Sequence, residues 1–221
     1  MLKMKNITKL FLYLNLCLTL LACSKISPKG EIEVKDVTVE NFTKLNLKGD
    51  FKVFFAKGNQ NLVSVETYPN VYKNLDIEVE NGILTIEENR KTDQVDFYNI
   101  TIFGKNDLNE VSLSDKVEMN VSGQVKTPEF SLHLKGNSKF MGAVMAPKSK
   151  IEMAEKSNAN ILGETKNLNL KLADSASIMA PYFYVENLEI LSKNGASAGL
   201  NIDQEMKGTL ENTSKLIFYG E

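Results

Sequence analysis

The sequence predicts an all-β protein: a parallel β-helix of five or six coils, preceded by N-terminal strands or a hairpin that start or cap the stack. Three observations carry this reading. Over residues 108–221 a unit of roughly twenty residues recurs, each with a short apolar run, a knot of small or polar residues and a second apolar run. Over residues 31–103 apolar and polar residues alternate with period two. Neither section sustains the 3.6-residue period of an amphipathic helix.

Taken in order, residues 1–22 read as a secretory signal. Lys3, Lys5 and Lys9 give a basic start, residues 10–21 are apolar apart from Asn15 and Thr19, and a small residue, Ala22, precedes Cys23. The apolar run is too short to span a bilayer, which takes about 20 residues. Leu20-Leu21-Ala22-Cys23 resembles the lipobox of bacterial lipoproteins. The resemblance implies cleavage before Cys23 and lipid on its thiol and new amino group, and several acyl chains on one residue anchor stably where one would not. Cys17 is discarded with the signal, so no disulfide or cysteine metal framework remains. Residues 23–30 are polar with Pro28 and Gly30 and read as a tether.

Residues 31–107 read as an N-terminal strand section, continuous in one domain with the repeats at 108–221. A turn at Gly49-Asp50 separates the Leu45–Leu47 run from the Phe-rich run 51–56, and a second turn at 58–61 leads to the alternating run 62–67. Pro69 holds Tyr68 extended, and one helical turn is expected over 71–74. Leu75, Ile77 and Val79 alternate with acids, Asn81-Gly82 comes next, and Leu84 and Ile86 resume the pattern. Asn-Gly between alternating runs predicts a tight hairpin, because both turn residues adopt positive φ. Asp76, Glu78, Glu80, Glu87 and Glu88 are assigned to a solvated sheet face rather than a cation site. Residues 97–103 form another strand.

Residues 108–221 carry the repeat. The knots align at Val117, Ser138, Ala159, Ala176, Ser197 and Ser214, beside an apolar column at Leu108, Phe130, Ile151, Leu168, Leu188 and Leu210. A leucine-rich repeat needs a Leu-x-x-Leu-x-Leu pattern with a fixed Asn, which is missing, so a β-helix fits better. Gly, Ala, Ser and Asn suit tight corners. Asn137, Asn158, Asn194 and Asn212 are placed to stack as a hydrogen-bonded ladder. Met119, Met141, Met145, Met153, Met179 and Met206 all lie here and are read as filling gaps in an irregular core, ahead of a soft binding surface.

These residues resemble a known bacterial family, the auto-transporter adhesin head GIN domain family. The likeness runs through Phe42-x-x-Leu45-x-Leu47-x-Gly49-x-Phe51-x-Val53, Val63-x-Val65-Glu66, Glu80-Asn81-Gly82-x-Leu84-x-Ile86, Val111-Ser112-Leu113-Ser114, the repeated knots and the closing Ile217-Phe218-Tyr219-Gly220. The family's Gly-Ser-Gly knots are diluted here to Asn, Asp, Ala and Ser. The resemblance implies a right-handed β-helix started by the front strands, and it brings no catalytic residues.

Composition excludes several functions. The chain holds 26 basic and 28 acidic residues, and the loss of the three signal lysines makes the remainder more acidic. With one arginine, Arg90, it lacks the clustered cations that nucleic-acid phosphates require. His133 has no nucleophile or carboxylate motif beside it and reads as a surface or stacked histidine rather than a base. No phosphate loop, nucleophile elbow, metal-spaced set or cofactor motif occurs, so no catalytic residue, metal or cofactor is assigned. Glu152, Glu155, Glu164, Asp174, Glu186 and Glu189 are expected on different columns, unlike the clustered carboxylates of β-helix polysaccharide enzymes.

The candidate ligand-binding residues are Tyr182 and Tyr184. Alternation through Pro181-Tyr182-Phe183-Tyr184 turns both outward if Phe183 is inside, and exposed aromatics suit sugar or protein contact. On pattern alone, aromatics laid over core or a loop weigh more. The functional expectation is a lipid-anchored, non-enzymatic binding or adhesin-like module of the cell envelope. Its partners would be a membrane through Cys23, the outer ahead of the inner, and a glycan or protein ligand. The alternatives are an envelope assembly component that pairs through uncapped β-helix edges, and a carbohydrate-active enzyme.

Overall fold

Alternation becomes strand almost everywhere it occurs. The protein is seen here in a computed structural model that describes residues 25–219, so the signal segment 1–22 and Cys23 lie outside the described residues. The elements in chain order are β1 (Glu33–Thr38), β2 (Lys44–Gly49), β3 (Lys52–Lys57), β4 (Leu62–Thr67), α1 (Pro69–Tyr72), β5 (Leu75–Glu80), β6 (Ile83–Glu88), β7 (Asn99–Gly104) and β8 (Glu110–Asp115). Then come β9 (Glu118–Lys126), β10 (Glu129–Leu134), β11 (Lys139–Met145), β12 (Lys148–Met153), β13 (Asn158–Leu172), β14 (Ser177–Ser192), β15 (Ser197–Leu210) and β16 (Lys215–Phe218). The helical turn expected over 71–74 forms two residues earlier, as α1, because Pro69 can open a helix at its first position.

The strands wind into a parallel β-solenoid of about five turns. One face stacks β3, β9, β11, the front of β13, the front of β14, the front of β15 and β16. The second face stacks β2, β8, β10, β12 and the rear halves of β13, β14 and β15. At the N-terminal end each face runs one strand further in parallel, to β7 over β3 and β6 over β2. It then closes with antiparallel strands, β4 and β1 on the first face and β5 on the second. The β5–β6 hairpin turns through Asn81 at φ 52° and Gly82 at φ 76°, as Asn-Gly requires. Parallel pairing therefore begins at β2 and β3, within the N-terminal section. Residues 25–29 lie against this cap: Ile26 bridges Thr92, and Asn70 accepts from the Lys29 N–H and donates to the Ser27 carbonyl.

Each coil passes from the second face to the first through a β-turn whose first corner residue is left-handed. Asp115, Gly136, Glu155, Asp174, Asn194 and Asn212 have φ between 47° and 74°. The residue closing each turn donates its N–H to the carbonyl three residues back, and these residues are Val117, Ser138, Ser157, Ala176, Ala196 and Ser214. The knot column thus passes through Ser157 and Ala196 rather than Ala159 and Ser197. Ala159 and Ile178 pair one pleat further along. Left-handed φ costs a non-glycine residue about 1–2 kcal/mol, which the stacking of successive corners must offset. At Gly136 no substitute fits, since a Cβ there would lie 2.5 Å from the Asp115 carbonyl.

The predicted apolar column also divides. Phe130, Ser149, Leu168, Leu188 and Met206 lie side by side, while Ile151 stacks with Leu132, Leu170 and Ile190. Leu210 stacks with Ser192 and Leu172. Inward side chains from all coils join one continuous core from Phe42 to Leu200. The asparagine ladder is shorter than expected: Asn212 donates to Asn194 at 3.2 Å and Asn194 to Asp174 at 3.4 Å. Asn158 instead donates to the Lys156 carbonyl.

The methionines separate into two kinds. Met119 and Met153 are core, whereas Met141, Met179 and Met206 are 53%, 44% and 45% exposed. Glu88 leaves the solvated face on which it was expected. Alternation turns it the other way from Glu87, and its carboxylate accepts from the Asp50 N–H and the Thr92 hydroxyl. Burial, the largest effect, raises its pKa despite those hydrogen bonds. The neighbouring Tyr98 hydroxyl is buried without a hydrogen bond of normal geometry, and burial with the Glu88 charge pushes its pKa up.

Candidate functional site

β14 enters the corner between the two faces through Pro181-Tyr182-Phe183-Tyr184, and it carries one residue more than β13 between the pairs Ala159–Ile178 and Gly163–Phe183. Phe183 is fully buried in the core, so both tyrosines point outward, Tyr182 at 64% exposure and Tyr184 at 56%. Core burial of one large ring fixes the direction of its neighbours, because successive strand residues face opposite ways. Neither tyrosine hydroxyl has a hydrogen-bond partner among the described residues.

The two rings do not share a site. Tyr184 lines a groove of about 960 Å³ that runs across the coils along the corner, and Tyr182 stands outside it, on the first face. The groove floor is made of the corner segments Thr127-Pro128 and Ala146-Pro147 with Val185, and its walls carry Lys126, Glu164, Lys166, Glu186, Asn201 and Asp203. Its backbone polar groups are satisfied from coil to coil: Thr127 donates to Met145, Ala146 to Glu164 and Asn167 to Pro147. The side chains therefore present their polar ends to solvent on a fixed frame. Glu164 and Glu186, expected on different columns, come together here, since Glu164 pairs with Tyr184 in register and Glu186 lies two residues further on.

The first face also carries exposed apolar side chains, Tyr182, Phe54, Met141 and Met179 among them. Phe54, Asn120, Met141 and Asn160 form one outward column across successive strands, and Leu162 on β13 and Met179 on β14 are 41% and 44% exposed. Sequence reasoning missed both this column and the groove walls. The Thr127-Pro128 and Ala146-Pro147 pairs, one coil apart, were the available signal for the corner.

The second face is a charge ladder. Lys44 meets Glu110 at 3.0 Å, Lys148 meets Glu129 at 2.9 Å, and Asn169 donates to Glu189 at 2.8 Å. His133 belongs to this ladder, with Nδ1 3.3 Å from Glu152. Burial would raise the Glu152 pKa, but Lys150 at 3.1 Å and Lys171 at 3.2 Å outweigh it and hold the carboxyl below the usual range. Glu152 is thus held as an anion by lysines, and among the described residues no nucleophile is paired to the histidine. Among the described residues no group of His, Cys, Asp and Glu is arranged to hold a metal. No helix among them is long and apolar enough to cross a membrane.

The family model that matches this chain, over residues 41–221, is described as "Putative auto-transporter adhesin, head GIN domain". The chain belongs to that family. Its fold recurs in the crystal structure of a putative adhesin from Bacteroides fragilis, with a TM-score of 0.73 at 15% identity, covering 88% of this chain and 97% of that one. It recurs in a putative lipid binding protein from Parabacteroides distasonis, with a TM-score of 0.63 at 16% identity over 90% and 98% of the two chains. A putative adhesin from Parabacteroides merdae gives 0.63 at 15% identity over 90% and 98%. At these identities the likeness is one of fold. No curated protein matches the chain.

Proposed function

We propose that this head GIN domain chain is a lipid-anchored, non-enzymatic binding module of the bacterial cell envelope, adhesin-like, that holds a glycan in the corner groove. The observation that carries the reading is Tyr184, half exposed and without a polar partner, on a groove wall shared with Glu164, Glu186, Asn201 and Asp203. A flat aromatic ring beside fixed carboxylate and amide acceptors is how proteins meet a sugar, whose ring has an apolar face and a rim of hydroxyls. Anchoring through Cys23, to the outer membrane ahead of the inner, is supported by Leu20-Leu21-Ala22-Cys23 and by the position of Lys25, which pairs with Asp93 at the cap. An anchor there would present the groove and the far end of the stack away from the lipid.

A glycan array probed with the full chain in detergent tests the ligand. Binding that falls at least tenfold in Tyr184→Ala, with thermal stability kept, is the expected result. Tyr182→Ala separates the groove from the first face: equal loss there would move the site to the first face and favour a protein ligand. Turnover of a bound glycan, abolished by Glu164→Gln, would replace the binding module with an enzyme. Acyl labelling of the wild type that persists in Cys23→Ser would overturn the anchor.

A further inference from the structure

The last coil of the solenoid is unfinished among the described residues, independently of the groove. β16 covers only Ser197–Leu200 of β15, while Glu205–Leu210 has β14 on one side and nothing on the other. Met206 and Leu210 continue the core columns of Leu188 and Ser192, yet each is 45% exposed. An unpaired strand with an open core layer is a template for another strand.

The sequence of this edge is self-complementary. Glu205 and Lys207 flank Met206 on the outward side and pair with each other at 2.9 Å. Run antiparallel about Met206, two copies set Met206 against Met206 beneath two pairs of Glu205 with Lys207. A slip of two residues sets Lys207 against Lys207 in one direction and Glu205 against Glu205 in the other. A slip of one residue turns core positions to solvent. At the capped end the β5 edge offers no such match, since its outward side chains are Asp76, Glu78 and Glu80, and like charges facing each other resist pairing.

We propose that the free β15 edge binds a second copy of this chain, antiparallel about Met206, joining two solenoids tail to tail into one longer sheet. Sedimentation equilibrium of the full chain in detergent should show a reversible dimer. Lys207→Glu and Glu205→Lys should each weaken it roughly tenfold or more, as two facing pairs become like-charged, and the double exchange should restore it. In a chain with Cys17 and Cys23 replaced by Ser, oxidised Met206→Cys should form a disulfide dimer, because opposed Cα atoms lie within disulfide range. Glu205→Cys should not. A chain that stays monomeric at high concentration, or single reversals that leave the dimer intact, would overturn the proposal. So would a double exchange that fails to restore it.

Discussion

The two ends of the solenoid are built to opposite plans. At the N-terminal end β7 and β6 add a further parallel layer, and β4, β1 and β5 close it with antiparallel strands, so that Leu47, Val53, Leu84 and Ile86 are fully buried. At the C-terminal end Leu210, which closes the column of Leu47 and Ile86, and the neighbouring Met206 and Phe218 are all about half exposed. Each coil of a solenoid is stabilised mainly by its neighbours. A coil with two neighbours is core, and a coil with one is surface, whatever its sequence. The difference teaches that the alternation pattern marks direction, inward or outward, while burial is decided by what lies above and below.

The sharpest way to break this comparison is one chemical change made at both ends of the first face. Phe55→Ala, at a residue 1% exposed, should cost about 3–5 kcal/mol in denaturant unfolding. Phe218→Ala, at 56% exposure, should cost about 0.5 kcal/mol or less. Equal losses would mean that the far end is covered in solution. In the middle of the stack, Gly163 has φ 109°, and a Cβ on it would lie 2.1 Å from the Val144 carbonyl. Gly163→Ala should cost about 2–3 kcal/mol, and a thermal scan showing no change would mean the coils can slide apart there.

Hydrogen exchange would map the gradient without mutation. Amides of β15 and β16 should exchange at least tenfold faster than those of β2, β3 and β8, because opening one end breaks only one interface. The smallest expected effect is electrostatic. Glu88, at the cap, has a raised folded-state pKa, so its contribution is present at low pH and lost as pH rises through that folded value. Glu152, on the coil face, has a lowered one, so its contribution is present above the ordinary value and lost as pH falls. Glu88→Gln should therefore leave neutral-pH stability unchanged or slightly higher, and Glu152→Gln should lower it by about one or two degrees in melting temperature. Melting curves across the acid range would show the two variants diverging from wild type in opposite senses.

Much of this fold was legible. The Asn81-Gly82 hairpin, the turn after Tyr68, the repeat and the all-β class come from local residue chemistry that the coils did not override. The register was not legible in two places, for identifiable reasons. Residues two apart share a face, so Ser157 and Ala159 look alike by alternation, and the left-handed residue that fixes the turn there is Glu155, a side chain that does not advertise it. The apolar column was misread because Ser149, buried among Phe130 and Leu168, hid its place. At the candidate site, Phe183 and the outward tyrosines could be read from four residues. The groove could not, because it is assembled from segments one coil apart that meet only when the stack forms.

The charge ladder of the second face works as a key between coils. Deleting residues 158–176 would join Ser157 to Ser177, whose register partner is Asn158. The chain would rejoin in phase, and Lys148 would meet Asn187 where it had met Asn167. The molecule can therefore change its reach by whole coils while both ends stay as they are, which makes length a quantity this architecture can set in steps without redesigning either the cap or the open edge.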